Sequence, residues 1–199
     1  SETLSEDTWY HVAVVRTDSK LLLYIDSVLH AQKNITFDDL TNSYDLYIGK
    51  DPNHSNEYFD GIIDELVIWN RALPSEEISS IYDSYNLTEA ESNDPIAHWS
   101  FDEGEGNIAH DESGNGNDGT LENGPIWVDG IDSGALQFDG DNDYVYVDQD
   151  FLSTESGTIV LWANPMSITT DDRAQVFVGG FRGGNSDRIP TIGINPEGG

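Results

Sequence analysis

The sequence has no cysteine, a single methionine (Met166) and only 8 Lys+Arg among 199 residues. Without cysteine there is no disulfide framework, so the fold rests on its core and on any bound ion. So few cations exclude nucleic acid and anionic membrane surfaces as partners, because 38 Asp+Glu leave a formal charge of −30 that repels both. No apolar run approaches the roughly 18 residues that a spanning helix needs, so membrane insertion is not expected. No signal peptide opens the chain, which starts at Ser1 and reads as a piece excised from a longer precursor.

What is present points to a folded β-protein. Five Trp, nine Tyr and seven Phe in a chain that is 37% hydrophobic exclude a disordered acidic tail. Short β-branched and aromatic runs at residues 9–15, 21–25, 44–48 and 61–69 are punctuated by turn residues and predict antiparallel strands. After Pro74, the spacing of Ile78, Ile81, Tyr82 and Tyr85 changes to that of one helical face, and Glu76 and Glu77 lie at its positive start. Residues 86–95 are polar and aperiodic and read as a linker. Strands resume at 96–101, 134–138, 143–147, 157–163 and 175–181 between Gly/Asp/Asn loops. The expected class is all-β with one short helix, a sandwich or a jelly roll.

Three stretches beyond the linker, Ile96-Ala97-His98-Trp99-Ser100-Phe101 through Gly106, Asp111 through Thr120, and Gly134 through Tyr144-Val145, resemble the amino-terminal half of LamG-like jelly-roll domains. Before the linker, Trp9-Tyr10-His11-Val12, Leu23 through Ser27, Tyr47-Ile48-Gly49 and Phe59 through Leu73 resemble the carboxy-terminal half of the same family, which is laminin G-like and concanavalin A-like. The resemblance implies a jelly-roll β-sandwich of two antiparallel sheets. Ser27 departs from the glycine usual in that hairpin turn. The order of the halves is inverted, which implies a window cut across tandem domains or a circular permutation. The expected organisation is a carboxy-terminal half at 1–85, a linker at 86–95 and an amino-terminal half at 96–199, the two halves pairing as one sandwich.

The loop from Asp111 to Glu122 carries oxygen ligands at alternate positions with glycine at the sharp turn, as calcium loops do. Strand-like sequence precedes it and Asn123-Gly124-Pro125 follows, so it is no EF-hand. The resemblance implies a structural calcium site with Asp111, Asn115 and Asn117 as ligands and Asp64 as a cross-strand ligand. An Asx-rich turn that satisfies its own backbone is the competing reading. Asp139, Asp141 and Asp143 read as a solvated hairpin turn. Similarity to pentraxins implies that Asp51, Asn53 and Asp187 lie in ligand-binding loops that act through bridging calcium.

Glycosidases of similar fold place catalytic carboxylates on one strand face, which singles out Asp64 and Glu65. Strand alternation groups Ile62, Asp64, Leu66 and Ile68 on one face and sends Glu65 to the other, towards a rim ion pair with Arg71. That separation opposes hydrolysis. The five histidines have no metal spacing, and no nucleophile motif is present. Trp9, Trp69, Trp99 and Trp162 are expected in the core, Trp127 and Tyr58 as exposed platforms. The reading that joins these features is a non-catalytic, calcium-stabilised, extracellular module that binds glycans or surface proteins beside neighbouring domains of a longer chain. A ligand-free spacer repeat and a glycoside hydrolase are the alternatives.

Overall fold

A computed structural model describes residues 4–35, 45–52, 54, 57–84, 95–149, 156–168, 175–180 and 192–194. Fourteen strands and one helix appear among them: β1 (Tyr10–Arg16), β2 (Lys20–Ile25), β3 (Val28–Asn34), β4 (Leu46–Ile48), β5 (Asp60–Trp69), α1 (Ser75–Ser84), β6 (Ala97–Trp99), β7 (Ile108–Ala109), β8 (Gly119–Glu122), β9 (Ile126–Asp129), β10 (Gly134–Asp139), β11 (Tyr144–Val147), β12 (Gly157–Pro165), β13 (Gln175–Gly180) and β14 (Ile192–Ile194). They form an eight-stranded sheet, β3-β2-β1-β12-β5-β10-β9 with β6 also on β5, and a six-stranded sheet, β14-β13-β4-β11-β8-β7. All pairings are antiparallel. The fold is a jelly-roll β-sandwich.

The two sheets meet through one core that includes Leu46, Ile48, Ile63, Leu66, Ile68, Trp99, Phe138, Val145, Val147 and Leu161. Burying each such side chain contributes about 1.5–3 kcal/mol, so the alternation of these residues sets the strand register. A smaller cluster lies on the other side of the eight-stranded sheet, where Ile78 and Ile81 of α1 cover Ala13, Val15, Val67, Trp69 and Val160. Tyr82 of the same helix stacks on Trp162. The helix therefore forms on the predicted apolar spacing, although Tyr85 lies outside the described residues.

β5 is the spine of the larger sheet. One edge pairs with β12, and the other is shared end to end by β10 and β6. Every one of these neighbours comes from beyond residue 95, so hydrogen bonds join strands from either side of residues 86–94, which themselves lie outside the described residues.

A bulge interrupts β5. Val67 opposes Val160 but Asp64 opposes Trp162, and Glu65 takes φ +49°. Two residues there face one on the partner, as in a β-bulge. Alternation restarts out of step, so Ile63, Leu66 and Ile68 line the inter-sheet core together. The expected face of Ile62, Asp64, Leu66 and Ile68 is thereby corrected.

Candidate functional site

The outer surface of the six-stranded sheet is built by strict alternation. Tyr47 sits between buried Leu46 and Ile48, and Tyr144 and Tyr146 flank buried Val145. Register places Tyr47 opposite Tyr146, Tyr146 opposite Thr120, and Tyr144 opposite Glu122. Opposed residues share a face, so the tyrosines form a contiguous aromatic surface. Their rings approach to 5.5 Å for Tyr47 and Tyr146 and 5.8 Å for Tyr47 and Tyr144.

Gly49 turns the chain out of this sheet at φ +84°, where a Cβ would also meet the Phe138 ring at 2.7 Å; only glycine fits there. The turn aims Lys50 back over the tyrosines, with its ammonium 4.1 Å from the Tyr144 ring and 5.5 Å from those of Tyr47 and Tyr58, a cation–π arrangement. Burial raises the Tyr47 and Tyr144 hydroxyls, and Asp45 and Glu122 respectively add to it. A hydrogen bond to Asp45 pushes Tyr146 up to about 12. The three phenols therefore stay protonated and can donate at neutral pH. The Tyr-Val-Tyr-Val pattern of β11 carried this surface in the sequence; only Tyr58 of the expected platform residues belongs to it. Trp127 instead packs partly against the core and donates its indole N–H to the Gly106 carbonyl at 3.0 Å. Trp69, Trp99 and Trp162 are buried as expected, and Trp9 is half-buried.

Asp51 is 4% exposed at the start of the next loop. Asn53 and Asp187 lie outside the described residues.

The Asp111 loop is held by its own backbone. Asp111 Oδ1 accepts the N–H groups of His98 and Ser113, each at 3.0 Å, and Oδ2 accepts that of Asn117 at 2.9 Å. Burial raises this carboxyl, but those donors and the Ser113 hydroxyl outweigh it and hold it below the ordinary carboxylate value. Asn115 and Asn117 give their amide N–H groups to the Ile96 carbonyl at 3.2 and 2.8 Å. The loop thus ties β6 to the turn in the manner of an Asx motif. The Asp139 turn works likewise: its Oδ1 accepts from Asp141, Asn142 and Asp143.

Asp64 belongs to another network. It is fully buried, its Oδ2 accepts the N–H groups of Ile131 at 2.8 Å and Asp132 at 3.2 Å, and its Oδ1 has no partner among the described residues. Burial dominates and pushes its pKa up to about 7. It shares no hydrogen-bond partner with Asp111 among the described residues.

Glu65 also departs from expectation. Because of the bulge its carboxylate lies 2.8 Å from His98 Nε2, while Arg71 pairs with Glu77 at 2.7 Å. His98 opposes Val67, which lies under α1, so Asp64 and Glu65 emerge on the same side of the sheet rather than on opposite sides. Burial raises Glu65 as well, opposed by the His98 contact.

A polar pocket that includes His98 is lined by Asn70, Pro95, Ile96, His98, Glu112, Ser113 and Asn115. Asp64 and Glu65 do not line it.

Among the described residues no helix is long and apolar enough to cross a membrane. Comparisons with curated proteins and with solved structures returned no match. A family model, Laminin_G_3, described as the concanavalin A-like lectin/glucanases superfamily, matches residues 1–79. Residues 1–79 are thus similar to the concanavalin A-like lectin/glucanase superfamily, and the described residues fold as a jelly-roll β-sandwich.

Proposed function

We propose that this chain is a non-catalytic, extracellular glycan-binding module, with its ligand lying on the tyrosine face of the six-stranded sheet. The observation that carries the reading is the contiguous set Tyr47, Tyr144 and Tyr146, turned outward by strand alternation and bordered by Asp45, Thr120 and Glu122. Aromatic faces take the apolar C–H surfaces of sugar rings. Phenol donors and carboxylate acceptors at the edges suit sugar hydroxyls. The chain's charge of −30 favours a neutral glycan over an anionic one. Among the described residues expected to bind calcium, Asp51, Asp64, Asp111, Asn115 and Asn117, none belongs to the tyrosine set.

The non-catalytic part of the proposal rests on burial. Asp64 and Glu65 share a side of the sheet, but at 0% and 9% exposure neither can flank a glycosidic bond as hydrolysis requires.

A glycan array probed with the whole chain tests the reading. Neutral oligosaccharides are expected to bind, and Tyr47→Ala and Tyr146→Ala should each weaken binding by about fivefold to tenfold, equivalent to roughly 1–1.5 kcal/mol per lost aromatic contact. An empty array is the result expected of a spacer repeat. Undiminished binding by the double variant would move the site elsewhere, and turnover of a polysaccharide would make the chain an enzyme.

A further inference from the structure

The loop that follows β4 closes on itself. Lys50 bridges Tyr58, Asp51 donates its N–H to the Glu57 carbonyl at 2.9 Å, and His54 donates its N–H to the Asp51 carbonyl at 3.2 Å. This turn brings positions 51, 54 and 57 to one point. Asp51 Oδ2 lies 3.0 Å and Glu57 Oε2 3.2 Å from His54 Nδ1, and the three atoms all fall within 4.8 Å of one another. The histidines as a sequence set show no metal spacing; the turn supplies what the spacing lacks.

A tetrahedral ion with ligand bonds of about 2.0–2.2 Å holds its donors roughly 3.3–3.6 Å apart. His54 Nδ1 stands 3.0 and 3.2 Å from the two carboxylate oxygens, close to those separations, and the two oxygens lie within 4.8 Å of each other. We infer that Asp51, His54 and Glu57 form a binding site for a first-row transition ion of the zinc type. One imidazole with two carboxylates suits such an ion, whereas calcium takes six to eight oxygens. Asp51 is anchored by burial, while the His54 side chain is 42% exposed, which leaves the remaining coordination position to water or to an incoming oxygen ligand. The strongly negative chain concentrates cations around it. The site stands apart from the glycan reading, since none of its three residues belongs to the tyrosine face.

The rival account is a plain ion pair between His54 and the two carboxylates, which has no metal affinity. Calorimetric titration of Zn²⁺ into the whole chain separates the two. One equivalent should bind, His54→Ala and Glu57→Gln should each abolish it with the far-ultraviolet circular dichroism unchanged, and Ca²⁺ at the same concentration should not displace it. His110, 3.3 Å from Asp118 in an exposed pair, is the control: His110→Ala should leave the equivalent in place. The inference is overturned if the wild-type chain binds no Zn²⁺, if binding survives in both loop variants, or if His110→Ala removes it.

Discussion

Asp64 and Glu65, adjacent in the chain, face the same side of the eight-stranded sheet because Glu65 occupies a bulge at φ +49°. The carboxyls are thereby buried as neighbours, Asp64 against the N–H groups of residues 131 and 132 and Glu65 against His98. Burial most of all, and the Glu65 charge in addition, raise the cost of ionising Asp64, against the opposing pull of the two backbone donors.

That arrangement makes stability depend on pH in a definite direction. Asp64 titrates at about 7 when folded against 3.8 ordinarily, so between those values the folded chain holds a proton that the unfolded chain has lost. Stability from this site is highest below about pH 4, falls as pH rises, and levels off above about 7. The total swing is on the order of 4 kcal/mol at most. Asp64→Asn keeps an oxygen for the two backbone donors and cannot ionise. Denaturant unfolding at pH 5 and pH 8 should therefore show the variant gaining on the wild-type chain at the higher pH. An equal difference at both values would show that Asp64 titrates normally.

Much of this molecule is written in residue alternation, and the exceptions have physical causes. The strands around Val12, Ile63, Val145 and Leu161 are legible because half or more of their side chains enter a core. β3 is not, because every residue of Val28–Asn34 is exposed at the sheet edge and leaves no apolar period to detect. The bulge in β5 is hidden since a left-handed glutamate has no sequence signature, and it undid the inference that Asp64 and Glu65 oppose one another. The tyrosine face was visible in the spacing of residues 144–147, yet its meaning depends on Tyr47 lying opposite Tyr146, which pairing alone decides. His54 joins Asp51 and Glu57 only through a turn, a contact that helical or strand periods do not encode.

The Asp111 loop offers a direct choice between an ion and a turn. Its carboxylate receives three backbone N–H groups, and removing such an acceptor leaves partly buried donors without partners, at about 1–3 kcal/mol. Asp111→Ala should lower the melting temperature by several degrees, to the same extent in calcium and in chelator. A wild-type chain that loses stability in chelator, together with a variant that is indifferent to it, would instead establish a calcium site at Asp111.

His11 gives the opposite pH signature to Asp64. It is fully buried, neither ring nitrogen has a hydrogen-bond partner among the described residues, and its ring lies 5.2 Å from that of Trp162 and 5.7 Å from that of Tyr82. Burial lowers its pKa to about 4 from 6.5, so unfolding below about 6.5 takes up a proton, and stability is lost as pH falls towards 4. His11→Phe retains an aromatic ring between Trp162 and Tyr82 and removes two desolvated nitrogens, for an expected gain of about 1–2 kcal/mol at pH 8. The larger phenyl ring can offset part of that gain, but packing does not change with pH. The difference between variant and wild type must therefore widen from pH 8 to pH 5. Thermal unfolding at the two values measures it, and a constant difference would mean that His11 finds a proton acceptor when folded.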